Sequence, residues 1–223
     1  MDGFVATFFN IDIALEILPA LGRGLLNTIY LALIVFPCSF VAGLGLSVMG
    51  MSRSWIVRAM SVTYIDFFRS FPPVVLLIVI FYGLPFFGWR IDPLLAASLA
   101  LILNAASYYA EVQRTGIESV DRGQWEAAHS TGLNPSETYL WVVLPQALRN
   151  VVSPLIGNTI ELVKLTAIAS VVSYSELLKV AKEMQSLMFS PTPLVAAALI
   201  YFLMLWPFVR WLSRFERGFM ERD

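Results

Sequence analysis

Glu161 and Lys164 stand three residues apart inside the otherwise apolar run Pro154–Leu178, which Glu176 also interrupts. Ionised groups inside apolar spans are costly and are functional candidates by default. Glu161 can hold an ammonium or guanidinium, and Lys164 a carboxylate. The competing reading is an ion pair within the helix, since each charge needs a partner where the dielectric is low. Asn158 lies one turn before Glu161, where it serves either the same cavity or an interhelical hydrogen bond. Asn104, Ser107 and Glu111 recur at spacings of three and four, a polar stripe that suits solute contact or helix packing. A second set lies in the connection Gln113–Val152: Gln124, Glu126, Ala127, Ala128 and Gly132, followed by Leu144 and Pro145. None of these sets offers a nucleophile beside a base. The lone His129 and lone Cys38 exclude a disulfide framework within the chain and a His- or thiolate-rich metal centre.

The elements that must position these residues are apolar spans. Hydrophobic residues make up 58% of the chain, charged residues only 14%, and the mean hydropathy is +0.72, which places it among membrane proteins. A formal charge of -1 argues against nucleic acid as a partner. A crossing needs about 20 apolar residues. Five stretches are candidates: Leu25–Met49, Ser70–Phe87, Pro93–Ala110, Pro154–Leu178 and Thr192–Val209. Backbone polar groups find no water in lipid, so these are expected to be helices. On that reading Glu161 and Lys164 sit roughly 10–15 Å into their span. The segment Met1–Pro19 carries Asp2, Asp12 and Glu16 but no Lys or Arg, so it is expected to be mature chain and not a cleaved leader.

Orientation follows from the Lys and Arg bias of the connections. One set holds Arg53, Arg58, Arg69, Arg114, Arg122, Arg149, Arg210, Arg214, Arg217 and Arg222; the other holds Arg23, Arg90, Lys179 and Lys182. Ten against four puts the N-terminus outside and the C-terminus in the cytoplasm. The long connection is then cytoplasmic. Within it, Ser119–Gly132 reads as a helix, with Asp121 near its start and Gly132 and Asn134-Pro135 ending it. Pro135–Leu144 reads as a second short helix stopped by Pro145. Ala127, Ala128 and Leu133 are expected on the apolar side of this pair. Such a hairpin is a docking element or a packed tie between spans three and four.

The spacing Glu126-Ala127-Ala128, three residues, Gly132, nine residues, Val142-Val143-Leu144-Pro145 resembles the EAA motif of bacterial binding-protein-dependent ABC importers. Val142 stands where that family usually has Ile. Glu111–Val120, Gly123-Gln124 and Tyr64–Leu77 resemble the polar amino acid branch, which includes the histidine, glutamine, arginine and opine systems. Phe71 and Leu76 replace the Thr and Gln common there. Leu165 replaces the Asp that commonly follows the lysine at position 164, while Thr166 keeps the next hydroxyl.

The resemblance implies an all-α integral membrane protein with five transmembrane helices and a cytoplasmic EAA coupling loop, the type I ABC importer permease fold. Residues 1–24 would be an extracytoplasmic segment and 25–223 the transmembrane domain, with the coupling loop at about 114–153. It further implies a multi-pass subunit of the bacterial inner membrane that pairs with a second permease subunit, the same chain or a homologous one. The pair would rest on an ATPase dimer, with an extracytoplasmic solute-binding protein. Gln124, Glu126, Ala127, Ala128, Gly132, Leu144 and Pro145 would couple to the ATPase. Glu161, Asn158, Lys164, Asn104, Ser107 and Glu111 remain the solute-contact candidates. The chain has no Gly-x-x-x-x-Gly-Lys-Ser/Thr loop, and no Gly is followed by Lys. No cofactor is therefore expected here, and ATP and Mg belong to the partner. The alternative is an ion-coupled secondary transporter that uses Glu161, Lys164 and Glu176 as a relay.

Overall fold

The computed structural model describes residues 7–220, with side chains through Arg214. Asp2 and Arg222 lie outside the described residues, as does the side chain of Arg217. Helix α1 is Ile11–Gly50, α2 is Trp55–Ser70, and α3 is the mixed helical stretch Pro73–Phe87. Helix α4 is Pro93–Glu118, and α5 is the short Arg122–Ser130. Helix α6 runs Pro135–Val172, α7 is Leu177–Met188 and α8 is Thr192–Met220. Four helices are long and apolar enough to cross a membrane, and α2 with α3 forms a broken fifth candidate.

Several sequence expectations need revision. The expected span Ser70–Phe87 is broken at its start. Proline disfavours helical backbone in the residue before it, and Phe71, before Pro72, is extended at φ −95° and ψ 126°. After Pro73 the coil passes from α to π at Val79–Gly83 and to 3-10 at Leu84–Phe87. Pro145 does not stop the helix that begins at Pro135. A π turn at Thr138–Val143 precedes it, and the Leu144 N–H bonds to the Tyr139 carbonyl. The wider turn gives the proline ring room, so the coil continues to Leu165 and tightens to 3-10 through Val172. Glu176 is therefore not a charge within span four. It is the N-cap of α7, and its carboxylate accepts the N–H groups of Leu178 and Lys179 at 2.8 and 2.6 Å.

Residues 11–24, read as a segment ahead of the first span, are the opening turns of α1. That helix has 40 residues, or about 60 Å at 1.5 Å per residue, twice the hydrocarbon thickness.

The chain divides into two compact units. The first comprises Met1–Phe36, Pro72–Ile102 and Ile160–Asp223; the second comprises Pro37–Phe71 and Leu103–Thr159. In the first, Ile17 and Leu21 of α1 pack on Leu177 and Ala181 of α7 and Ala197 of α8. The Thr28 hydroxyl accepts the Leu177 N–H at 3.1 Å, and Tyr201 donates to the Glu176 carboxylate at 3.0 Å. The buried carboxyl group of Glu176 thus ties α7 to α8.

In the second unit small residues bring helices together. A Cβ on Gly43 of α1 would lie 2.7 Å from the Tyr109 Cβ of α4, and one on Gly116 would lie 2.3 Å from a Val151 methyl of α6. Without a hydrophobic drive between helices in lipid, such close backbone packing holds a bundle together.

Candidate functional site

The connection between α4 and α6 folds around three local signals. The Asp121 carboxylate accepts the Gly123 N–H at 2.7 Å, capping α5. At the other end Gly132 adopts φ +87°, a left-handed position that a side chain resists. The Leu133 N–H reaches back to the Ala128 carbonyl at 3.4 Å, closing the helix. A reciprocal capping box then starts α6. Glu137 N–H donates to the Asn134 side chain, and Asn134 N–H donates to the Glu137 carboxylate, both at 2.9 Å.

Packing fixes which face looks outward. Ile117, Val120, Val143 and Ala147 form a small core, covered by Trp125 and Tyr139. Ala128 is buried and Leu133 half-buried, as expected, but Ala127 is exposed together with Gln124, Glu126 and Gly132. Consecutive helical residues point about 100° apart, so Ala127 and Ala128 cannot share the buried face. Leu144 is half-buried and Pro145 exposed. The Gln146 amide donates to Gln124 at 3.3 Å and the Asn150 amide to Ser119 at 2.8 Å, pinning the connection to α6. Among the described residues the Glu126 carboxylate pairs only with Arg122 of its own helix, at 3.5 Å, and both side chains are largely in solvent. Such a pair holds weakly, so the carboxylate is available to another cation. His129 is exposed, as expected, its ring nitrogen 2.7 Å from the Trp125 carbonyl.

The sequence reading missed two residues of this face. Leu140 and Trp141 are 53% and 75% exposed beside the hairpin. A Trp left outside on a well-packed loop is a recognisable interface signal.

The solute candidates separate into distinct environments. Asn104, Ser107, Glu111 and Asn158 belong to the second unit, and Glu161 and Lys164 to the first. Asn104 is buried and donates to the Phe68 carbonyl of α2 at 2.8 Å; the Ser107 hydroxyl donates to the Asn104 carbonyl at 2.6 Å. Glu111 is held by Arg114 at 2.7 Å, with Arg69 of α2 at 3.8 Å. Arg114 also pairs with Glu118 at 2.7 Å, a series the i, i+3 and i, i+4 spacing announces. The Asn158 amide nitrogen is buried and has no hydrogen-bond partner among the described residues. Such a group costs free energy unless something pairs with it.

Glu161 and Lys164 form an ion pair, yet their side chains are 57% and 51% exposed. Charges in a spanning helix do not face hydrocarbon, so this face is covered by protein or lines water. Lys164 also edges a groove of about 680 Å³ whose wall includes Leu178, Ala197, Tyr201, Phe202 and Trp206. Among the described residues no group of three or more His, Cys, Asp or Glu side chains is placed to hold a metal ion.

Residues 36–220 match the family described as binding-protein-dependent transport system inner membrane component. The probable amino-acid ABC transporter permease protein YckA of Bacillus subtilis (strain 168) is 34% identical over 194 residues, covering 86% of each chain. The arginine transport system permease protein ArtQ of the same organism is 30% identical over 200 residues, covering 88% of this chain and 91% of its own. A crystal structure of an amino acid ABC transporter with histidines contains a chain that superposes with a TM-score of 0.85 at 34% identity. That match covers 92% of this chain and 96% of the other.

Proposed function

The chain belongs to the binding-protein-dependent transport system inner membrane components, and on that premise we propose that it is the permease subunit of an ATP-driven importer of polar amino acids, basic ones included. It is a multi-pass inner membrane protein of a non-catalytic family. Two permease subunits form the pathway and rest on an ATPase dimer that holds ATP and Mg. A solute-binding protein delivers solute from outside. The N-terminus is extracytoplasmic and the C-terminus cytoplasmic, in line with the Lys and Arg bias.

One observation carries this reading: the hairpin α5–Gly132–α6 is rigidly capped and pinned, yet presents Gln124, Glu126, Ala127 and Trp141 outward. When ATP draws the ATPase subunits together, a docked hairpin moves as a rigid body. The spans then switch access between the two sides of the bilayer. Glu126 supplies a charge for a basic partner residue, Ala127 allows close approach, and Gly132 sets the exit angle. The solute reading rests on the unpartnered Asn158 amide and the half-exposed Glu161–Lys164 pair. Glu161 would hold a cationic side chain and Lys164 a carboxylate. No observation favours the ion-coupled alternative.

The test is Glu126→Lys in the reconstituted complex. Solute-stimulated ATP hydrolysis is expected to fall at least about tenfold, as for loss of one interface hot spot. Unchanged transport by this variant would refute the docking role.

A further inference from the structure

Over Thr192–Arg214, helix α8 carries two arginines, Arg210 and Arg214, and no Asp or Glu. Both side chains are exposed, and their spacing puts them on one face of the helix. Like charges at that spacing repel, and among the described residues no carboxylate pairs with either. The Arg210 guanidinium sits instead over the Trp206 ring, 5.8 Å from its centre. By helical rise the two arginines lie roughly 27 and 33 Å from Thr192, on either side of a hydrocarbon limit at about 30 Å.

Trp206 also belongs to the wall of the groove of about 680 Å³. The groove lies within the first compact unit and follows α8 from Leu194 to Val209, roughly 22 Å at 1.5 Å per residue. Its lining is apolar apart from Lys164, Tyr201 and the Trp206 ring nitrogen, and Lys164 is already paired with Glu161. Val209 ends the groove along α8, one residue before Arg210. The apolar groove and the basic pair therefore meet at Trp206. Their occupant must be an anion at one end and a long hydrocarbon at the other. A second copy pairing through α8 would bring no acid to this face and would set arginine against arginine. A free anion would leave the groove unfilled. We propose that the groove and the basic pair form a binding site for one anionic phospholipid, with an acyl chain along α8 and the phosphate on Arg210 and Arg214. The site needs only a membrane-spanning chain and is independent of the importer reading.

The test is native mass spectrometry of the purified full chain, titrated in detergent with phosphatidylglycerol or phosphatidylcholine of identical acyl chains. One phosphatidylglycerol per chain is expected to be retained at least about tenfold more tightly than phosphatidylcholine. The double variant Arg210→Gln, Arg214→Gln should lose that preference. Ala198→Phe, at an exposed position in the groove wall, should weaken retention at least about tenfold with both arginines intact. Leu199→Phe, exposed and outside the groove lining, should leave retention unchanged. Equal retention of the two lipids by the unaltered chain overturns the proposal. Full phosphatidylglycerol retention by Ala198→Phe also overturns it, because the arginines would then make only general headgroup contacts. A dimer of the chain that Ala198→Phe abolishes and phosphatidylglycerol does not displace overturns it as well, and gives this face to a second copy.

Discussion

The α5–α6 hairpin and the polar stripe of α4 lie in the same compact unit and use the same kinds of residue in opposite ways. Along α4, Asn104, Ser107 and Glu111 each find a partner within the unit, on α2 or on α4 itself. In the hairpin, backbone caps and two amide hydrogen bonds hold the shape. The outward side chains are left nearly uncommitted: Glu126 has one exposed, weak pair, and Trp141 stands in solvent. The lesson concerns satisfaction, not polarity. A polar group with its partner inside the unit stabilises the fold, whereas a rigid element with unengaged side chains is shaped for another molecule.

Gly132→Val breaks the hairpin side of this contrast most severely. A β-branched residue at φ +87° cannot keep the turn, so the two short helices lose their relative angle. Coupled transport is expected to drop at least about tenfold, while the thermal midpoint of the purified subunit moves little. A variant that transports normally would separate the turn from coupling.

Gly43→Leu attacks the packing side. Its Cβ would meet the Tyr109 Cβ at 2.7 Å and the Ala110 nitrogen at 2.9 Å, both anchored to a neighbouring helix. We expect a loss of about 1–3 kcal/mol of stability, read as a lower thermal midpoint in detergent. ATPase docking by the folded fraction should be unaffected.

Glu111→Gln sharpens the distinction with the smallest effect. Its carboxylate is 30% exposed and shared by Arg114 and Arg69. Removing a partly solvated pair is expected to cost about 1 kcal/mol or less. Transport of neutral and cationic solutes should change alike. A selective loss for cationic solutes would move Glu111 from glue to solute contact.

Much of this was legible in the sequence. Asp121, Gly132 and Asn134-Pro135 mark the hairpin ends because caps are local, set by residues within one turn of each other. The apolar runs mark the crossings because lipid demands them. The rest depends on contacts far apart in the chain. Glu176 reads as a charge stranded in a span until Tyr201 and the α7 N-terminus are seen to hold it. Pro145 reads as a stop because the π turn before it leaves no signature in residue type. Which of two adjacent alanines is buried depended on the phase of a nine-residue helix, which the motif alone does not fix.

Site-directed cross-linking at the hairpin tests the central claim most directly. Ala127→Cys and Trp141→Cys, each in a Cys38→Ser background, would be assembled with the ATPase subunits and treated with a short bifunctional reagent. Both positions should join to the nucleotide-hydrolysing subunit, with a yield that changes when ATP is bound. A transport-competent complex in which neither position reaches that subunit in any nucleotide state would contradict the account.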